Sequence, residues 1–107
     1  MTTENPEIMD EPPLTVDGEL TISTVAEIKA RLSTALEQKE HVVLDLRNVE
    51  ELDTAGLQLL LATQRIGGKR VRFINPSEAV RQILALANAG AQLGLSAEEQ
   101  SAAGGEE

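Results

Sequence analysis

The sequence has no cysteine, no tryptophan and no tyrosine, and only one phenylalanine. The lack of cysteine excludes disulfide frameworks, thiol nucleophiles and zinc sites built on thiolates. The near-absence of aromatics means that any core must be packed from aliphatic side chains, and it leaves no platform for stacking bases. Long apolar runs are missing too: stretches such as Ile83 to Ala87 reach five residues, far short of a membrane span. Met1 to Pro13 is acidic, with neither a basic start nor an apolar stretch, so no export signal is read there and a cytoplasmic protein is expected.

Catalytic and metal chemistry find little to stand on. His41 is the single histidine, so a metal site would need carboxylates alone and a nucleophilic triad would need a Ser or Thr and an Asp that no motif unites with it. His41 is read as a structural or surface residue. Gly67-Gly68-Lys69 lacks the preceding glycine and following hydroxyl residue of a phosphate-binding loop. Asp45 and Asp53, as a strand-end and a loop residue, are read as turn and cap residues rather than as paired acids. No catalytic residue, metal site or cofactor is therefore assigned, and the chain is expected not to be an enzyme.

What is present is one domain's worth of patterned sequence, 107 residues with a net charge of -9. The charge is uneven. Residues 1–53 carry 13 acidic against four basic side chains, residues 54–95 carry Glu78 alone against five basic ones, and the remainder adds four acids. A net acidic chain with one aromatic residue lacks the basic footprint of a nucleic-acid binder. The cluster Arg65, Lys69, Arg70 and Arg72 reads as a solvated helix end followed by an exposed strand face, with contact to an acidic partner as the alternative. Residues 1–13 and 96–107 are unpatterned and acidic and are expected to be flexible tails around a domain spanning 14–95.

Within the domain, Leu14, Val16, Leu20 and Ile22 flank Asp17-Gly18, which predicts two short strands joined by a tight hairpin. Thr24 and Glu27 have the spacing of a capping box opening a helix, followed by Val25, Ile28, Leu32, Ala35 and Leu36 at intervals of three and four. His41–Leu46 predicts a buried strand. Leu57 to Ile66 predicts a helix stopped by Gly67-Gly68, Arg70–Ile74 a strand broken by Asn75-Pro76, and Ser77 the cap of a last helix carrying Val80, Ile83, Leu84 and Ala87. Leu93 and Leu95, after Gly90, predict a final turn closing the core. The order is that of an α/β fold, a partly parallel sheet with an antiparallel edge.

The connection into the second helix reads Leu52-Asp53-Thr54-Ala55-Gly56-Leu57. At a strand-to-helix loop the first helical amides are unpaired and point outward; Asp53 or Thr54 can cap them, and Ala55-Gly56 allows close approach of another backbone or an anion. Partners of α/β folds tend to meet such loops. With VVLDLRNVEEL before it and GELTISTVAEIKARL (Gly18 to Leu32) upstream, this DTAGL loop resembles the STAS family, named for sulfate transporters and anti-sigma factor antagonists, over roughly Leu14 to Leu95. The resemblance implies a mixed four- to five-stranded sheet flanked by helices and a non-enzymatic docking module, often switched by phosphorylation. It points to Asp53, Thr54, Ala55, Gly56 and Gln58 as the docking residues. Anti-sigma factor antagonists usually carry two hydroxyl residues between the Asp and the Gly of this loop; here the second is Ala55, so Thr54 is the one candidate phosphoacceptor. The implied partner is a serine kinase acting as an anti-sigma factor, or a chemotaxis signalling protein. An Asp-Thr-small-Gly loop also resembles the STAS subunit of phospholipid-trafficking ABC transporters, whose partner is the cytoplasmic ATPase.

Overall fold

The computed structural model describes residues 13–95, so apart from Pro13 the expected tails lie outside the described residues. Five short strands alternate with three helices: β1 (Leu14–Thr15), β2 (Gly18–Leu20), α1 (Val25–Gln38), β3 (Val42–Asp45), β4 (Val49–Leu52), α2 (Thr54–Gly67), β5 (Val71–Ile74) and α3 (Glu78–Ala87). Single 3-10 turns at Gly68–Arg70 and Gly90–Leu93 follow α2 and α3.

Every strand pair among the described residues is parallel, which corrects the expected hairpin and mixed sheet. β1 pairs with β3, β3 with β5, and separately β2 with β4; β1 and β2 do not pair with each other. The hydrogen bonds of the Asp17-Gly18 bend show why. The Gly18 amide donates to the Asn48 carbonyl at 2.9 Å, and the Asn48 side-chain amide donates to the Asp17 carboxylate at 3.0 Å. The turn residues thus bond to the facing bend between β3 and β4 instead of closing a reversal. β4 itself is absent from the expected order because Glu50 and Glu51 are both exposed between buried Val49 and Leu52, a pattern without the alternation that signals a strand.

The core is aliphatic, with Leu20, Leu44, Leu46 and Leu60 fully enclosed and Phe73 its one aromatic member. α1 packs on α2, α2 on β5, and α3 on β4. Val80 and Leu84 point inward as expected, whereas Ala87 is exposed at the end of α3. Ser77 caps α3, its hydroxyl accepting from the Val80 amide at 3.2 Å. Leu93 and Leu95 close the core after Gly90. Gly67 ends α2 where a Cβ would lie 2.1 Å from Val71 Cγ2, so its lack of a side chain lets the helix descend directly onto β5.

Thr24 departs from its expected role. Its hydroxyl donates to the Glu19 carbonyl at 3.0 Å and accepts from the Thr21 amide at 3.1 Å, so it stitches the turn before α1 and forms no capping box with Glu27. Arg70 is exposed as expected, but it lies in the 3-10 turn before β5 rather than on the strand. Its guanidinium donates to the carbonyls of Leu36, Lys39 and Glu40, where α1 ends without a basic residue of its own in the last turn. A cation there satisfies carbonyls that the helix leaves unpaired. Arg70→Ala is expected to cost about 1–2 kcal/mol in urea denaturation. Arg70→Lys, which keeps the charge but lacks the fork that reaches several carbonyls, should recover only part of that.

Candidate functional site

The DTAG segment lies where β4 hands over to α2, directly beside the end of β2, because Leu20 and Leu52 are partners in the β2–β4 register. Asp53 is the pivot. Its backbone is extended, as an N-cap requires, and its carboxylate accepts the Gly56 amide on one oxygen at 3.0 Å and the Ile22 amide on the other at 2.9 Å. One side chain therefore caps α2 and ties down the loop between β2 and α1. That loop is fixed from its own side as well: buried Thr21 accepts the Ser23 amide, and the Thr21 carbonyl accepts the amides of Thr24 and Val25.

These amide bonds favour the charged form, so the Asp53 carboxyl is held below the ordinary aspartate value of 3.8, the Gly56 amide contributing most and the Ile22 amide next. A group whose pKa is lower in the folded state adds stability that is complete above its unfolded-state pKa and disappears as pH falls through the lowered folded value. The difference in urea midpoint between wild type and Asp53→Asn is therefore expected to be greatest near neutrality and to shrink below about pH 4. A difference that stays constant across that range would show that the carboxylate charge is not what Asp53 contributes.

Gly56 is buried, and the backbone it admits is the protein's own. A Cβ at this position would lie 2.0 Å from the Leu20 carbonyl oxygen and 2.7 Å from Leu52 Cδ1. Gly56 thus builds the surface from beneath. Ala55 is half-buried beside it. Thr54 and Gln58 are exposed one helical turn apart, which puts them on the same face of α2. The Thr54 side chain makes no hydrogen bond among the described residues; capping belongs to Asp53 alone.

Ile22 joins these residues through the Asp53 carboxylate that its amide reaches, and it is 72% exposed. Nothing in the residues marks Ile22 as part of this surface; the turn at Thr21, which buries the threonine, leaves it facing solvent. The surface consequently holds an apolar side chain, a free hydroxyl and a carboxamide around a rigid helix N-terminus. His41 is exposed and remote in sequence from this loop, and Asp45 accepts the Arg47 amide as a turn residue. Among the described residues no three His, Asp or Glu side chains converge in a way that could hold a metal ion, and no helix is long and apolar enough to cross a membrane.

Comparison with known proteins agrees with this architecture. Among curated proteins, no sequence is significantly similar. Among solved structures, the chain is similar to the anti-sigma factor antagonist SpoIIAA in its unphosphorylated form, with a TM-score of 0.53 and 26% identity over 67% of this chain and 70% of that one. The family model described as Mlab, STAS domain, matches residues 7–95. A fold of parallel strands alternating with three helices, with the DTAG loop at the start of α2, is thus accompanied by a sequence match over most of the chain: the protein belongs to the STAS domain family.

Proposed function

We propose that this protein is a non-enzymatic docking module whose contact surface is the N-terminal face of α2, comprising Asp53, Thr54, Ala55 and Gln58 over the buried Gly56, with Ile22 at its edge. The observation that carries the proposal is the division of labour at the loop. Asp53 makes both bonds that the backbone needs, so the exposed Thr54 hydroxyl has no structural duty and is available to a partner. The likeness to an anti-sigma factor antagonist supports a protein partner of the signalling kind, a serine kinase or a chemotaxis component. Phosphate on Thr54 would add about two negative charges beside Asp53 and reshape what the face accepts.

A second reading follows from the family description, which names Mlab, and from Ala55, which removes one of the two usual hydroxyls. In it the same face holds the cytoplasmic ATPase of a lipid transporter, and Thr54 is a contact rather than a switch. Crosslinked pull-down from source cells with wild-type and Thr54→Glu baits separates the two. Recovery of a signalling kinase by the wild type alone, with phosphate found on Thr54, is the expected result. Recovery of a transporter ATPase in fixed ratio, with Thr54 unmodified, would replace the signalling reading with the structural one.

A further inference from the structure

β5 is an edge strand: its inner side pairs with β3, and among the described residues no strand lies on its outer side. The Ile74 carbonyl accepts from the Leu46 amide on the β3 side. Because backbone groups alternate along a strand, Arg72 also turns its peptide groups toward β3, and Phe73 turns its N–H and C=O outward. The Val71 amide is committed to the Gly68 carbonyl. The Val71 carbonyl and both groups of Phe73 therefore face away from β3, the alternating set an added strand would bond, and these two largely buried residues line a groove on that side. The groove, of about 410 Å³, lies against Val71 to Ile74 and is lined as well by Gln64, Gly68 and Lys69 at the end of α2 and by Leu93 and Gly94.

The groove's charge is opposite to that of the chain. Lys69 and Arg72, both exposed, line it, and no acidic residue does, although the whole sequence carries -9. A second copy's β5 laid antiparallel on this edge, in the register that pairs Val71 with Phe73, would set Arg72 opposite Arg72, and like charges facing each other across strands oppose pairing. The same arginine would attract a carboxylate.

We propose that the open edge of β5 receives an extended acidic segment of a partner protein as an added strand. This site lies at the other end of α2 from Thr54, about 20 Å away at 1.5 Å per residue. It is independent of the docking face.

The probe is a fluorescein-labelled peptide of about ten residues alternating valine or threonine with glutamate, compared with a lysine-for-glutamate version and one N-methylated at every internal amide. Anisotropy reports binding, and amide exchange by NMR reports the edge. The acidic peptide is expected to bind and to slow exchange at Phe73. The other two should fail to bind, and Arg72→Glu together with Lys69→Glu should weaken binding about tenfold or more. Thr54→Glu should leave it unchanged, which separates this site from the docking face. Equal binding by the N-methylated peptide, no binding, or unaltered exchange at Phe73 would overturn the proposal. So would a dimer in sedimentation that Arg72→Glu abolishes, since the edge would then belong to a second copy.

Discussion

Gly56→Ala is expected to destabilise the domain by about 3 kcal/mol or more and to lower its urea midpoint sharply. Alanine is the best helix former, and inside α2 the substitution would ordinarily add stability. Here the added methyl would meet the Leu20 carbonyl oxygen at 2.0 Å, its carbonyl carbon at 2.9 Å and Leu52 Cδ1 at 2.7 Å. A flexible side chain can yield, but two of these atoms are backbone of a strand held in register with β4. Relief requires α2 to withdraw from β2, which also pulls the Asp53 carboxylate away from the Ile22 amide. Overpacking commonly costs about 1–3 kcal/mol, and a backbone obstruction belongs at or above the top of that range. Against a total stability of about 5–15 kcal/mol, such a loss should appear as a sharply lowered urea midpoint. A midpoint within error of wild type would mean that α2 and β2 are not in the close contact described.

Thr54→Glu is expected to abolish or weaken partner capture at least tenfold while leaving the fold intact. Thr54 is exposed, unbonded and at the first position of α2, so the substitution removes no contact within the domain. A carboxylate at a helix N-terminus is favourable, and the neighbouring Asp53 opposes it by repulsion, so the net change in stability should stay within about 0.5 kcal/mol. The effect then falls on the surface that the partner reads. Thr54→Ala gives the complementary result: unchanged stability, because Asp53 is the cap, and weakened binding, because the hydroxyl is gone. A loss of about 1 kcal/mol on Thr54→Ala would instead assign the threonine a capping role.

Much of this site was legible in the residues. An Asp-Thr-Ala-Gly run between an apolar segment and a helical pattern specifies a cap and a close approach, and both exist, since Asp53 caps and Gly56 admits the Leu20 carbonyl. What the run does not contain is the identity of the neighbour. The approaching backbone is β2, brought there by a parallel pairing between residues about 30 positions apart in the sequence, which no local pattern encodes. For the same reason Asp17-Gly18 read as a hairpin: its turn chemistry is real, but its hydrogen bonds run to Asn48. Val49–Leu52 was invisible as a strand because its middle faces solvent, and Ile22 carried no mark of the docking surface because only the tertiary turn at Thr21 brings it there. The basic cluster divides in the same way, with Arg70 capping α1 while Lys69 and Arg72 stay on the β5 groove.

The most direct test of the docking face is hydrogen exchange on the protein alone and in complex with whatever partner the wild-type bait captures. Slowed exchange is expected at Ile22 and at Ala55 through Gln58, with the exposed residues of α3 unaffected. Protection confined to α3 or to the outer face of α1, with the start of α2 unchanged, would contradict the assignment of Thr54 and its neighbours as the surface that the partner reads.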